Sequence, residues 1–279
     1  MKSKLILILI FLWGICICGC EDELGDYVSI SNLDGLSLYW DHEVFGDGGR
    51  RLRFEFYGTD EFENDYELKF KYIIHRKTIS IRLVNIIDAG KCPSFPGMDP
   101  LCSPRGGLSI PDDQLNIGTY TLNLETPYFE TNSELIVDNE KITLKIPPNK
   151  HFSSSINEVY PIPPNLLFGS VVYSGDENSQ YAEDFFNDLL NLGLTKTKLP
   201  NYPYRHLSVD EEGNAIERHW EPDNHSIGFI YKMNNNFKDI FNLAKKHFKK
   251  SNINIYLYSS QGDQGLMNKN DGITVVFAD

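Results

Sequence analysis

Apolar and polar residues alternate one by one along much of the stretch from 27 to 146. Leu52-Arg53-Phe54-Glu55-Phe56, Tyr66-Glu67-Leu68-Lys69-Phe70-Lys71-Tyr72 and Ile79-Ser80-Ile81-Arg82-Leu83 follow the pattern, as do Tyr120-Thr121-Leu122-Asn123-Leu124 and Ile142-Thr143-Leu144-Lys145-Ile146. Successive side chains of a strand point to opposite faces, so such a run buries one face of a sheet and wets the other. A helix, with its period of 3.6, cannot sort these residues. Turn-forming residues at Gly46-Asp47-Gly48-Gly49, at Gly58 and Asp60 and at Asp138-Asn139 separate the runs, which predicts antiparallel hairpins.

Seven or eight short strands in about 120 residues predict an antiparallel β-sandwich of immunoglobulin-like type over 27–146. Gly118-Thr119-Tyr120-Thr121-Leu122 resembles the tyrosine-bearing strand of many bacterial sandwiches. Pro147, Pro148, Pro161, Pro163 and Pro164, with Ser153-Ser154-Ser155 among them, mark 147–165 as a Pro/Ser-rich linker. Beyond it the period changes. Strands are expected at 167–173, 226–232, 253–258 and 273–277, and a hairpin joins 205–209 to 215–220. One helix carries Tyr181, Phe185, Phe186, Leu189 and Leu190 on one face and ends at Gly193; a second spans about 237–250 with Phe237, Ile240, Phe241, Ala244 and Phe248 inward. Helices laid between strands resemble a ferredoxin-like α+β domain over 166–279, so the chain reads as an α+β multidomain protein.

Charge narrows the partners. The 279 residues carry 26 Lys plus Arg against 39 Asp plus Glu, a formal charge of −13. An acidic surface is repelled by nucleic acid, and the one dense basic cluster, Lys245, Lys246, Lys249 and Lys250, fits the wet face of a helix. With 41% apolar and 13% aromatic residues, the chain has enough to bury and should fold.

The first twenty residues read as an address. Lys2 and Lys4 precede a run without charge from Leu5 to Ile17, too short to span a bilayer. Ile17-Cys18-Gly19-Cys20 then resembles the lipobox of bacterial lipoproteins, with Cys18 a departure at a position more often small. The resemblance implies that signal peptidase II removes 1–19 and that Cys20 carries a diacylglycerol and an acylated amine, anchoring the chain to a membrane it does not cross. Removal deletes two lysines and no carboxylate. Glu21, Asp22, Glu23 and Asp26 follow in a tether over 20–26, and they resemble the acidic tag by which some Gram-negative bacteria send lipoproteins to the outer leaflet. A solvated spacer explains the same residues equally well.

Cys92 and Cys102 are the two cysteines left after the signal and the lipid site. An even pair bracketing a proline-bent loop in an exported chain predicts a disulfide, with free thiols or a redox or metal role as alternatives. No catalytic residue is assigned, since Gly-x-Ser-x-Gly, His-Glu-x-x-His and Ser-x-x-Lys are all absent from the sequence. His206, His219 and His225, interleaved with Asp210, Glu217 and Asp223, lack the spacing of a metal site, and no cofactor is expected. Tyr202, Tyr204 and Trp220 cluster beside Pro200 and Pro203 as candidate ligand-facing aromatics, with core packing as the plainer reading. These features predict an envelope-anchored protein with a non-enzymatic binding or assembly role toward an envelope protein or a glycan. A carboxylate-dependent surface glycosidase and a pilus or adhesion subunit are the alternatives.

Overall fold

The computed structural model describes residues 33–44, 49–93, 100–216 and 224–278. Cys20, the signal, the tether and Trp220 lie outside them. The protein is β-rich, of the α+β class, and built on two sheets.

In chain order the first body contains β1 (Leu36–Glu43), β2 (Arg51–Gly58), β3 (Asn64–His75), β4 (Thr78–Lys91), β5 (Arg105–Pro111) and β6 (Gly118–Glu125). It continues with β7 (Glu130–Val137), β8 (Ile142–Lys145), β9 (Phe152–Ser154) and β10 (Glu158–Val159). The alternating runs are the strands. Leu52, Phe54 and Phe56 of β2 are fully buried, and Leu122 and Leu124 of β6 face them in the same core. The ten strands hydrogen-bond as one curled sheet in the order β10-β8-β7-β6-β4-β3-β5-β2-β1-β9, not as two separate stacked sheets. Its two outer strands belong to a single short segment: β9 runs parallel to β1 and β10 antiparallel to β8. Between them the Ile156 carbonyl accepts a hydrogen bond from Trp40 Nε1 at 2.7 Å, and the Asn157 carbonyl accepts one from the Leu144 amide at 2.8 Å. One stretch of chain thereby closes the sheet on itself.

That stretch lies inside 147–165, the segment read from its prolines as a linker. The prolines flank the short strands without entering their ladders, and Phe152, Val159 and Ile162 are buried. Strands of two or three residues are too short to show a period, so proline dominated the pattern.

The second body contains β11 (Leu166–Ser174), α1 (Ser179–Asn191), β12 (Thr195–Lys196), β13 (Asn224–Lys232), α2 (Phe237–Lys250), β14 (Ile253–Ser259), β15 (Gln264–Asn268) and β16 (Gly272–Val276). The sheet is antiparallel throughout, in the order β12-β13-β11-β14-β15-β16. Both helices pack on one face, over Leu167, Val171, Ile255 and Leu257. In α1 the buried line is Ala182, Phe185 and Leu189, while Tyr181 and Leu190 are exposed. α2 buries the five residues its periodicity marks; the Asn236 side chain caps it by accepting from the Lys238 amide, and His247, Lys249 and Lys250 sit in its last turn, where cations suit the helix dipole. Of the expected hairpin, the described residues show one bridge, between Val209 and Ala215; 217–220 lie outside them.

The opposite face of this sheet, at Leu166, Phe168 and Ile230, meets Leu199, Tyr204, Leu207 and Val209, and Val44 from the end of β1 and Ile162 join the same cluster. A third core therefore links the two bodies.

Candidate ligand groove

The outward side chains of β1 and β2 form a ladder of charge. Register places Glu43 opposite Arg51, Asp41 opposite Arg53 and Tyr39 opposite Glu55. Arg51 Nη2 lies 2.8 Å from Glu43, and Arg53 lies 3.5 Å from Glu43 while also pairing with Glu55. The Tyr57 hydroxyl donates to Glu55 at 3.3 Å, and burial together with the Glu55 charge raises its pKa above the ordinary phenol value.

Beside this ladder β5 is wedged between β2 and β3, and its second and third residues are glycine for a steric reason. A Cβ on Gly106 would lie 1.8 Å from the Leu68 carbonyl oxygen, and one on Gly107 would lie 2.5 Å from that of Phe54. No larger residue fits either backbone approach. The strip is left without side chains and forms the floor of a groove of about 520 Å³. Arg53, Glu55 and Tyr57 make one wall, and Asp65, Tyr66 and Glu67 make the other. β3 and β5 are paired at a single position, Glu67 with Arg105. Arg105 reaches Asp65 at 3.3 Å, and Lys69 pairs with Glu67.

The disulfide stands at the end of this groove. Cys92 and Cys102 are bonded, with Cα atoms 5.9 Å apart. Cys102 also exchanges two backbone hydrogen bonds of 2.9 Å with Phe62, and the Pro104 carbonyl accepts from Gly58 at 2.7 Å. These ties fix the entry to β5 and so the position of Arg105.

A second charged group lies at the junction of the bodies. His42 is buried and its Nε2 lies 2.9 Å from Asp112, which also pairs with Arg50 Nε at 3.1 Å. Burial opposes ionisation of Asp112, yet hydrogen bonds and charge from His42 and Arg50 outweigh it and hold the carboxyl below its ordinary range. Arg50 donates to the Ser260 carbonyl at 2.9 Å, and Arg205 pairs with the buried Asp41, so both guanidinium groups span the two bodies. The His–Asp contact is an interior tie, its histidine closed off from solvent.

The aromatics singled out in the sequence divide. Tyr204 is buried in the third core, where burial and then Tyr202 push its pKa to about 12. Tyr202 stacks on Tyr160 at 4.1 Å between centroids, and Trp220 lies outside the described residues. Among the described residues no three His, Cys, Asp or Glu gather as metal ligands. Burial, then Arg205, lowers the His206 pKa to about 4, and His225 stacks on Tyr173. Sequence reasoning named none of the groove residues as a site. The one available signal was the doublet Gly106-Gly107 opening an alternating run. No family model matches the chain, and no curated protein or solved structure is significantly similar to it.

Proposed function

We propose that this protein is an envelope-anchored bacterial lipoprotein that binds a polar envelope ligand, a glycan by preference, in the groove over Gly106 and Gly107. One observation carries the binding reading. Each carboxylate facing the groove already has a cationic partner, Glu55 with Arg53, Asp65 with Arg105 and Glu67 with Lys69. Paired charges offer fixed donors and acceptors to hydroxyl groups, and the exposed Tyr57 offers a ring face, as sugar recognition requires. A glycosidase acid must hold a proton, and neutralised carboxylates suit that role poorly. The anchor rests on the lipobox likeness at Cys20. Among the described residues no helix is long and apolar enough to cross a membrane, which leaves attachment to the lipid in this reading. The first body is taken as a sandwich-like shell whose walls are joined at their edges. The second is a ferredoxin-related layer in which β13, α2 and β14 form a split β-α-β unit around β11.

Retention of the purified protein on immobilised cell-envelope glycans tests the groove. Tyr57→Ala and Arg105→Ala should each weaken retention about tenfold with an unchanged melting temperature, the scale of one lost ring face or charged contact. Retention that neither substitution changes contradicts the assignment.

A further inference from the structure

The edges of the curled sheet are the short strands β9 and β10, of three and two residues, and β12 at one end of the second sheet is likewise only two residues long and carries Lys196. β16 at the other end is different. It pairs with β15 in continuous register from Gln264↔Val276 to Asn268↔Gly272, and no described strand lies on its far side. Exposed edges are normally blunted by lysine, proline or a bulge. From Gly272 to Ala278 the chain has none of these and no charge.

Its side chains are as open as its backbone. Ile273 stands opposite Met267 and Val275 opposite Gly265, on the face that α2 covers further in. The Phe277 ring lies 6.3 Å from Phe237 and 6.2 Å from Phe241, both on α2. The helix reaches no further, and Ile273, Val275 and Phe277 remain 37%, 36% and 46% exposed.

An added strand would need apolar side chains at alternate positions and no charge along its length. β16 itself meets both conditions, and we infer that its partner is a second copy of this chain, paired antiparallel through β16 about a two-fold axis at Thr274. In that register Ile273 faces the second copy's Val275, Thr274 faces its own counterpart, and no like charges are opposed over 272–276. Pairs of β-branched residues and of threonines are favourable across strands. Two chains of formal charge −13 repel, so an uncharged edge is where they approach at least cost. A five-residue ladder belongs with weak, reversible contacts, so the test traps it.

Full-length Thr274→Cys protein, in the membranes of the cells that make it, is treated with a mild oxidant and run on a non-reducing gel. A band of twice the chain mass, released by reductant and absent from Thr195→Cys on β12, is expected. Adding Val275→Lys to Thr274→Cys should abolish that band while the Cys92–Cys102 disulfide stays intact. A Thr274→Cys chain that remains monomeric with an alkylatable thiol overturns the inference. So does a product of any other mass, or a doubled band that survives Val275→Lys.

Discussion

Trp40 is fully buried on β1, and its indole nitrogen still requires an acceptor. The Ile156 carbonyl supplies it at 2.7 Å, in the segment that closes the sheet. Trp40→Phe keeps a ring in the core, opens a small void and removes one of the two donors to that carbonyl, leaving the Ser154 hydroxyl, so chemical denaturation should show a loss of about 2 kcal/mol. His206 makes a prediction about pH. Its folded pKa, about 4, lies below the 6.5 of an exposed imidazole, so the unfolded chain takes up a proton first as acid is added. The contribution of His206 is complete above pH 6.5 and fades as pH falls toward 4. His206→Gln should flatten the dependence of melting temperature on pH within that window. Asp112 acts only lower, since a carboxyl held below its ordinary 3.8 contributes above that value and is lost on protonation beneath it. A histidine variant with an unchanged acid slope between pH 6.5 and 4 contradicts the assignment.

At the scale of elements, legibility followed length. The runs at 52–56 and 79–83 lie within β2 and β4, and the 3.6 period at 237–250 is α2 itself, because five or more residues with a buried face leave a countable pattern. β9 and β10 leave none, and their tertiary pairing to β1 and β8 is set by partners distant in sequence. The groove was hidden for a related reason. Its walls come from strand residues that look like any wet strand face, and only the tertiary placement of β3 beside β5 brings them together. The disulfide was legible from parity and context, and its sequence separation is 10. On the chain-entropy model a loop of that length contributes about 2–3 kcal/mol. Cys92→Ser should therefore lower unfolding stability by about that amount and leave lipid attachment unchanged, as comparison of denaturation curves with acyl labelling would show. A stability equal to wild type would mean that the backbone bonds of Phe62 and Cys102 hold the loop unaided.

Across the whole molecule the two bodies share a core and two guanidinium ties, Arg50 to the Ser260 carbonyl and Arg205 to Asp41. The bare groove floor and the open edge at β16 lie on different sheets, so the proposed ligand binding and the inferred pairing of two copies would not compete for one surface. The proposed function further depends on a lipid tether, which is inferred from the lipobox likeness alone. The most direct measurement is the mass of the N-terminal peptide of protein purified from its own membranes. The account predicts a peptide that begins at Cys20 and bears a diacylglyceryl thioether with an acylated amine. A peptide that retains Met1, or a Cys20 with no lipid on its sulfur, would contradict it.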